Sequence, residues 1–261
     1  MFGFNKQDFK LAVNLFKMMV KDRYLGSSLG SYWAIANPLF MLSIYTFVFG
    51  FIFKVRLPGA ETTLAYVIWL ISGYGPWLAT VEAIMSSTTS VVAASGIVKN
   101  MTFKTELLPI AAVFVGVIPL LVSFLFLLFL IFFDGKYLDW NILFLPLIIF
   151  IQCFFVIALG MWLSVINVFV RDLGVVLPNL LMIVMFLTPI FYPVESLPNL
   201  VQNISIANPF YVIAEAYRSV FLANSTPNLI GLSYVFFLAL TIFYFGLSAY
   251  RRAKGHFDSV L

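Results

Sequence analysis

Apolar residues run through about six long stretches of this chain, and polar residues collect between them. The runs cover about 34–53, 64–94, 109–133, 142–169, 174–192 and 229–250. Roughly 20 apolar residues span the hydrocarbon core of a bilayer as a helix. Every backbone polar group must then be satisfied inside its own segment or in a closed barrel. Barrel strands alternate in polarity over roughly ten residues, whereas these runs are continuous. The pattern predicts an all-α polytopic membrane protein with six transmembrane helices in one membrane domain, 31–250.

The segments between the runs carry their own pattern. In residues 1–30, Phe9, Val13, Phe16 and Val20 share one helical face, with Lys6, Lys10, Lys17 and Lys21 in an arc of about 60° beside it. This describes an amphipathic helix in the membrane interface, its lysine stems reaching toward phosphates. Gly26-Ser-Ser-Leu-Gly30 breaks it, and Trp33 anchors the first span. The second run is too long for one straight crossing, and Gly73-Tyr-Gly-Pro76-Trp77 predicts a kink. Glu82 follows, lining either a pathway or a partner-chain interface. The polar stretch 95–106 fits a short helix and a turn. Asn167–Asp172 makes a tight turn, and Asp134-Gly-Lys136 a turn on the opposite side. Between 204 and 222 the chain is mixed, broken at Asn208-Pro209, with Glu215 and Arg218 within reach of each other on one face. Two short re-entrant outer helices fit this segment.

Charge sets the orientation. Six spans put Lys6, Lys10, Lys17, Lys21, Arg23, Lys99, Lys104, Arg171, Arg251, Arg252 and Lys254 on the side of the termini, eleven basic residues in all. Only Lys54, Arg56, Lys136 and Arg218 fall on the other side. The positive-inside rule predicts cytoplasmic termini, including a basic tail at 251–261. No compact apolar core with a small-residue cleavage site occupies the first 30 residues, so a cleavable leader is not expected.

Candidate chemistry is sparse. Cys153 is the single cysteine and reads as a small core residue. His256 is the single histidine and reads as a solvated tail residue, which leaves no histidine-based metal site or catalytic triad. No Gly-x-x-x-x-Gly-Lys-Ser/Thr loop occurs, so ATP binding by this chain alone is not expected. Carboxylates lie almost entirely at span ends and in loops. That argues against an ion-coupled transporter, with ionisable groups near the midplane, and against a membrane enzyme, which needs convergent catalytic groups. Tyr45, Phe49, Trp69, Tyr74 and Trp77 sit in the first two spans. They are candidates for stacking on sugar rings in a channel, or for ordinary packing.

Arg23-Tyr-Leu-Gly-Ser-Ser-Leu-Gly-Ser-Tyr-Trp33 leading to Pro38, Asn167-Val-Phe-Val-Arg-Asp172, Thr188-Pro-Ile-Phe-Tyr-Pro193 with Leu197-Pro198, and Asn208-Pro209 occur in that order across the spans. With them the chain resembles, over essentially its whole length, the permease subunit of a type-2 ABC exporter of the O-antigen, capsule or teichoic-acid kind. The resemblance implies a homodimer with a pore between protomers, in the bacterial inner membrane. It implies two copies of a cytoplasmic ATPase that uses ATP and Mg, with no cofactor held by this chain and no nucleic-acid partner. It places the coupling helix in 95–106 and makes Lys99, Asn100, Phe103, Lys104, Glu106, Arg171 and Asp172 candidates for the ATPase interface. The two short helices near 204–222 become an outer gate. Lys17, Lys21 and Arg23 become candidates for attracting the pyrophosphate of a lipid-linked glycan, set against a plain topogenic role. Other cargo on the same scaffold, such as a drug or a lipid, stays open.

Overall fold

The computed structural model describes residues 5–56, 62–100, 103–135, 137, 139–222 and 225–260, with the side chains of Asn100, Asp258 and Ser259 left out. Lys136, of the predicted turn at 134–136, lies outside the described residues. The chain is all-helical, with no strand among the described residues.

Helix α1 covers Lys6–Asp22, α2 Trp33–Phe47 with a π turn continuing over Val48–Ile52, and α3 Thr63–Ala93. Next come α4 (Ser95–Asn100), α5 (Leu107–Val113) and α6 (Val117–Phe133), the last two joined through a 3-10 turn. A 3-10 turn at Trp140–Phe144 leads into α7 (Leu145–Phe169), followed by α8 (Asp172–Leu187). Then follow α9 (Asn199–Ala207), α10 (Pro209–Phe221), α11 (Leu229–Ala253) and the short α12 (Phe257–Val260). Side chains set several starts. Thr62 Oγ1 accepts from the Ala65 N–H and Asn228 Oδ1 from that of Gly231. Asn208 Oδ1 accepts from Phe210, while Pro209 fills the first helical position.

Among the described residues, five helical stretches are long and apolar enough to cross a membrane: Gly30–Ile52, Thr63–Ala93, Leu107–Phe133, Trp140–Phe169 and Leu229–His256. Helix α8 has 16 residues, about 24 Å at 1.5 Å per residue, and ends sooner than the apolar run that predicts it. Pro189 is the reason. Its ring pushes Thr188 out of the helical region, to φ −93 and ψ 132.

Helix α3 forms the spine of the bundle. Tyr66, Ile68, Leu70, Ile71 and Ile84 are buried along it, and α5, α6, α7, α8 and α10 all pack against it. The predicted kink is not a break, since the helix is continuous through Pro76. The glycines beside Pro76 permit close approach instead. A Cβ on Gly75 would stand 2.6 Å from Cβ of Ser123 on α6. Small residues at helix crossings let backbones meet without a layer of side chains between them.

The bundle interior also holds a polar network. Gln152 on α7 donates to the Pro76 carbonyl and to Thr80 Oγ1, both at 2.9 Å, and its own carbonyl accepts from Tyr217 on α10 at 2.6 Å. All three side chains are buried. The network binds α3, α7 and α10 together where no water competes.

Helix α1 carries a second apolar face beside the predicted one. Leu15 is buried and Leu11, Met18 and Met19 pack beside it, whereas Phe9 is 75% exposed and Val13, Phe16 and Val20 are half-buried. Positions 11, 15 and 18 lie about 180° around the helix from 9, 13, 16 and 20. The helix therefore has two apolar faces, and the one missed in the sequence is the one docked on α5. The tail is equally unlike a solvated strip. α11 runs on to Ala253, and Phe257 is 1% exposed against Tyr250.

Candidate functional site

The end of the bundle that carries both termini gathers α1, α4, residues 103–106, the α7–α8 turn and the tail. Asp8 of α1 pairs with Lys104. That contact, with the Asn5 N–H behind it, holds the Asp8 carboxyl below the ordinary carboxylate range. Glu106 is buried and faces Arg251 Nε at 3.5 Å and Lys254 Nζ at 3.6 Å. The Tyr250 hydroxyl donates to the Thr105 carbonyl at 2.9 Å. Across the tail, Arg171 Nη2 donates to the Val260 carbonyl at 3.2 Å. Asn167 Oδ1 accepts from the Gly174 N–H at 3.0 Å and closes the tight turn around Arg171.

These contacts divide the residues predicted to meet an ATPase. Lys99, Arg171 and Asp172 are exposed and Phe103 is half-buried. The Asn100 side chain lies outside the described residues. Glu106 is not presented outward. The basic tail folds back and holds its carboxylate inside the protein. Lys104 is likewise committed to Asp8.

Beside this end, α1 and α3 enclose a cavity of about 630 Å³. Met18, Met19, Met85 and Ala93 give it apolar walls, and Arg23, Ser86 and Thr89 give it polar ones. Arg23 pairs with Glu82 of α3, with one hydrogen bond at 3.0 Å, and Ser86 Oγ donates to the same carboxylate at 3.3 Å. The residue left unassigned in the sequence, Glu82, is thus an intramolecular partner of Arg23. Lys17 and Lys21 are exposed and do not line the cavity.

At the far end the predicted channel aromatics are brought together, but as a packed group. Tyr45 lies 4.4 Å from Tyr74 and 5.4 Å from Phe191 between ring centroids, and Phe49 lies 6.0 Å from Phe191. Trp77 meets Phe210 edge-on at 5.4 Å. Tyr74 and Trp77 are buried, and Tyr45, Phe49 and Trp69 are half-buried. In this conformation Tyr74 and Trp77 belong to the core, because α10 and the α8–α9 connection cover them.

Arg218 organises that cover. It is 3% exposed. Its guanidinium lies 3.8 Å from the Trp69 ring centroid and donates to the carbonyls of Pro189 (3.1 Å) and Ile190 (2.8 Å) and to Glu215 (3.3 Å). Gly73, one turn along α3 from Trp69, leaves room for it. A Cβ there would stand 2.7 Å from Nη2. Tyr66 donates to the Phe191 carbonyl at 2.7 Å, and Asn208 Nδ2 to Thr188 Oγ1 at 2.9 Å. The spacing of Glu215 and Arg218 predicts their pairing. Only the fold reveals that the cation is buried and that the Thr188–Pro193 carbonyls are its main partners.

Among the described residues no group of three or more His, Cys, Asp or Glu could hold a metal ion.

The fold is a bundle of apolar helices with a compact charged end and a capped far end, and sequence comparison names its class. The chain belongs to the ABC-2 type transporter family, whose profile matches residues 12–222. It is similar to an O-antigen export system permease protein RfbA of Klebsiella pneumoniae, 29% identical over 259 residues that cover 97% of this chain and 95% of the relative. A protein of the same name from Myxococcus xanthus is 24% identical over 220 residues, 84% of this chain and 82% of its own. The polysialic acid transport protein KpsM of Escherichia coli is 22% identical over 245 residues, 92% of each.

Proposed function

We propose that this chain is the membrane-spanning subunit of an ATP-driven exporter that carries a lipid-linked polysaccharide, of the O-antigen kind, out of the cytoplasm. The observation that carries this reading is similarity along nearly the whole chain to permeases named for O-antigen export, at 97% coverage. Energy then comes from a separate pair of ABC ATPase subunits using ATP and Mg. Lys99, Phe103, Arg171 and Asp172 are their contact surface, on the end of the bundle richest in exposed cations. Residues 95–106 carry the coupling motion, α9 and α10 form the outer gate, and both termini are cytoplasmic in the bacterial inner membrane.

A second copy of the chain completes the pore. Helix α2 supports this, because only 6% of its apolar window is buried, against 72% for α3. Helix α8 likewise leaves Ile183, Phe186 and Leu187 exposed. ATP-driven closure of the partners would move the helices as rigid bodies. Exposed Lys17 and Lys21 attract the pyrophosphate at the cytoplasmic leaflet, with Arg23 held nearby by Glu82.

Deleting the chain tests the reading. Lipid-linked glycan is expected to accumulate inside the cell while surface polymer is lost, and tagged chain is expected to co-purify with an ABC ATPase. Transport that survives ATP depletion under a maintained ion gradient, with no ATPase recovered, would instead make it an ion-coupled transporter. Accumulation of a drug or a free lipid would assign the scaffold to other cargo.

A further inference from the structure

Behind the Arg218 anchorage lies a cavity of about 450 Å³, lined by Trp69, Pro193, Val194, Glu195, Ser196, Tyr211, Glu215 and Arg218. Its volume falls in the range of small-ligand sites, roughly 300–1,000 Å³. The lining combines an indole, a proline and a valine with two carboxylates and a phenol. Tyr211 is 9% exposed, and among the described residues its hydroxyl has no hydrogen-bond partner. The hydroxyl itself is not among the enclosed unpartnered atoms; as part of the cavity wall without a protein acceptor, it offers one donor and one acceptor to an occupant.

The charges decide the class of occupant. Arg218 is not offered to a ligand. It is 3% exposed; Nη1 donates to Pro189 and Glu215, Nη2 donates to Ile190, and Nε is enclosed without a partner, out of reach of the cavity. Glu195 is exposed, and the Glu215 side chain is 49% exposed, with one oxygen directed to Arg218. The accessible lining is therefore rich in acceptors and negative in sign. It repels phosphate, sialic acid and uronic acid. It suits a compound with many hydroxyl donors and an apolar C–H face, which the Trp69, Pro193 and Val194 surfaces would cover.

We infer that this far-end cavity, built within one protomer, is a binding subsite for an uncharged sugar residue of the transported polymer. The inference rests on the polysaccharide reading and adds to it a selection for neutral over acidic sugars. Tyr211 and Glu215 take the sugar hydroxyls, and Glu195 and Ser196 stand at the same wall. The site lies beside the helices assigned to the outer gate, so a glycan passing there is held at the step before release.

The test uses the full chain, purified in a detergent without a sugar headgroup, so that a detergent glycoside cannot stand in for the polymer. Maltotriose and a sialic acid trimer are titrated while tryptophan fluorescence is followed, with Trp69→Phe identifying the reporting ring. Saturable binding of maltotriose is expected, with none of the sialic acid trimer. Tyr211→Phe should weaken it about three- to tenfold, the value of one hydrogen bond, and Glu215→Gln by a similar factor. Unchanged thermal unfolding of Tyr211→Phe, which leaves the Arg218 contacts intact, shows that the site, not the fold, was altered. No saturable maltotriose binding, equal binding of the sialic acid trimer, or an unaffected Tyr211→Phe each overturns the inference. None of these results bears on the exporter reading, which stands or falls on polymer export in cells lacking the chain.

Discussion

At the terminal end, ion pairs whose cations reach the surface hold the segments together; at the far end one buried guanidinium and a few neutral hydrogen bonds do so. Asp8–Lys104, Glu106 with Arg251 and Lys254, and Arg23–Glu82 belong to the first group. The cation of each is about two-fifths exposed. Such pairs are worth roughly 0–1 kcal/mol, can re-form with new partners and weaken in salt. Arg218 is the opposite case. A cation so enclosed persists only where carbonyls, a carboxylate and an aromatic face surround it together. The terminal end is thus fastened by contacts suited to rearrangement, and the far end by contacts that fix one geometry.

The largest effect should come from Arg218→Leu. It leaves two enclosed carbonyls and Glu215 without their donor, and breaking a buried charged group in this way costs about 3–5 kcal/mol. A large drop in the thermal midpoint of the detergent-solubilised protein is expected, and Arg218→Lys should restore little, because one ammonium cannot reproduce the planar fork. A midpoint within experimental error of the unmodified protein would erase the contrast between the ends. Glu106→Gln should cost less, about 1–3 kcal/mol, because its carboxylate is buried but Arg251 and Lys254 can turn to water. The difference from the unmodified protein should shrink as salt is raised, read from the same unfolding curves. A loss as large as that of Arg218→Leu would show the terminal end to be equally rigid.

The smallest effect concerns Asp8. Its folded carboxyl titrates below the ordinary value, so its contribution is present above that value and fades as pH falls through the folded one. Protection of the α1 amides, after correction for the intrinsic pH dependence of exchange, should fall on acidification through that window. Asp8→Asn should show the lower protection already at neutral pH and respond less to acid. Identical profiles for the two proteins would remove the pair from the account.

Much of this was legible in the apolar runs, because a helix in lipid has to close its own hydrogen bonds and so advertises itself by length. What the runs could not show is which face meets protein and which meets lipid, since both are apolar. That is why the face of α1 that docks on α5, with Leu11, Leu15 and Met18, went unread beside the Phe9 and Val13 face. Gly73 and Gly75 were read only with Pro76, as the site of a kink; they are also the places where Arg218 and Ser123 come close. The pairing of Glu215 with Arg218 followed from spacing three apart on one helix. The pairings of Glu106 with the tail, of Asp8 with Lys104 and of Glu82 with Arg23 bridge distant parts of the chain, and no local pattern encodes them. Gln152 was invisible for a related reason, being a lone polar residue in an apolar run whose partners sit 76, 72 and 65 positions away.

The two attachments of α1 have a mechanical consequence. Near its start, Asp8 is tied to the segment just before α5; just past its end, Arg23 is tied to Glu82 within α3. Between them lies a helix of 17 residues, a stiff rod about 25 Å long. A pull on Lys104 therefore reaches Glu82 along this strut as well as along the chain. The strut ends beside the cavity between α1 and α3, so a tug on one loop is delivered, as leverage, to that cavity's wall.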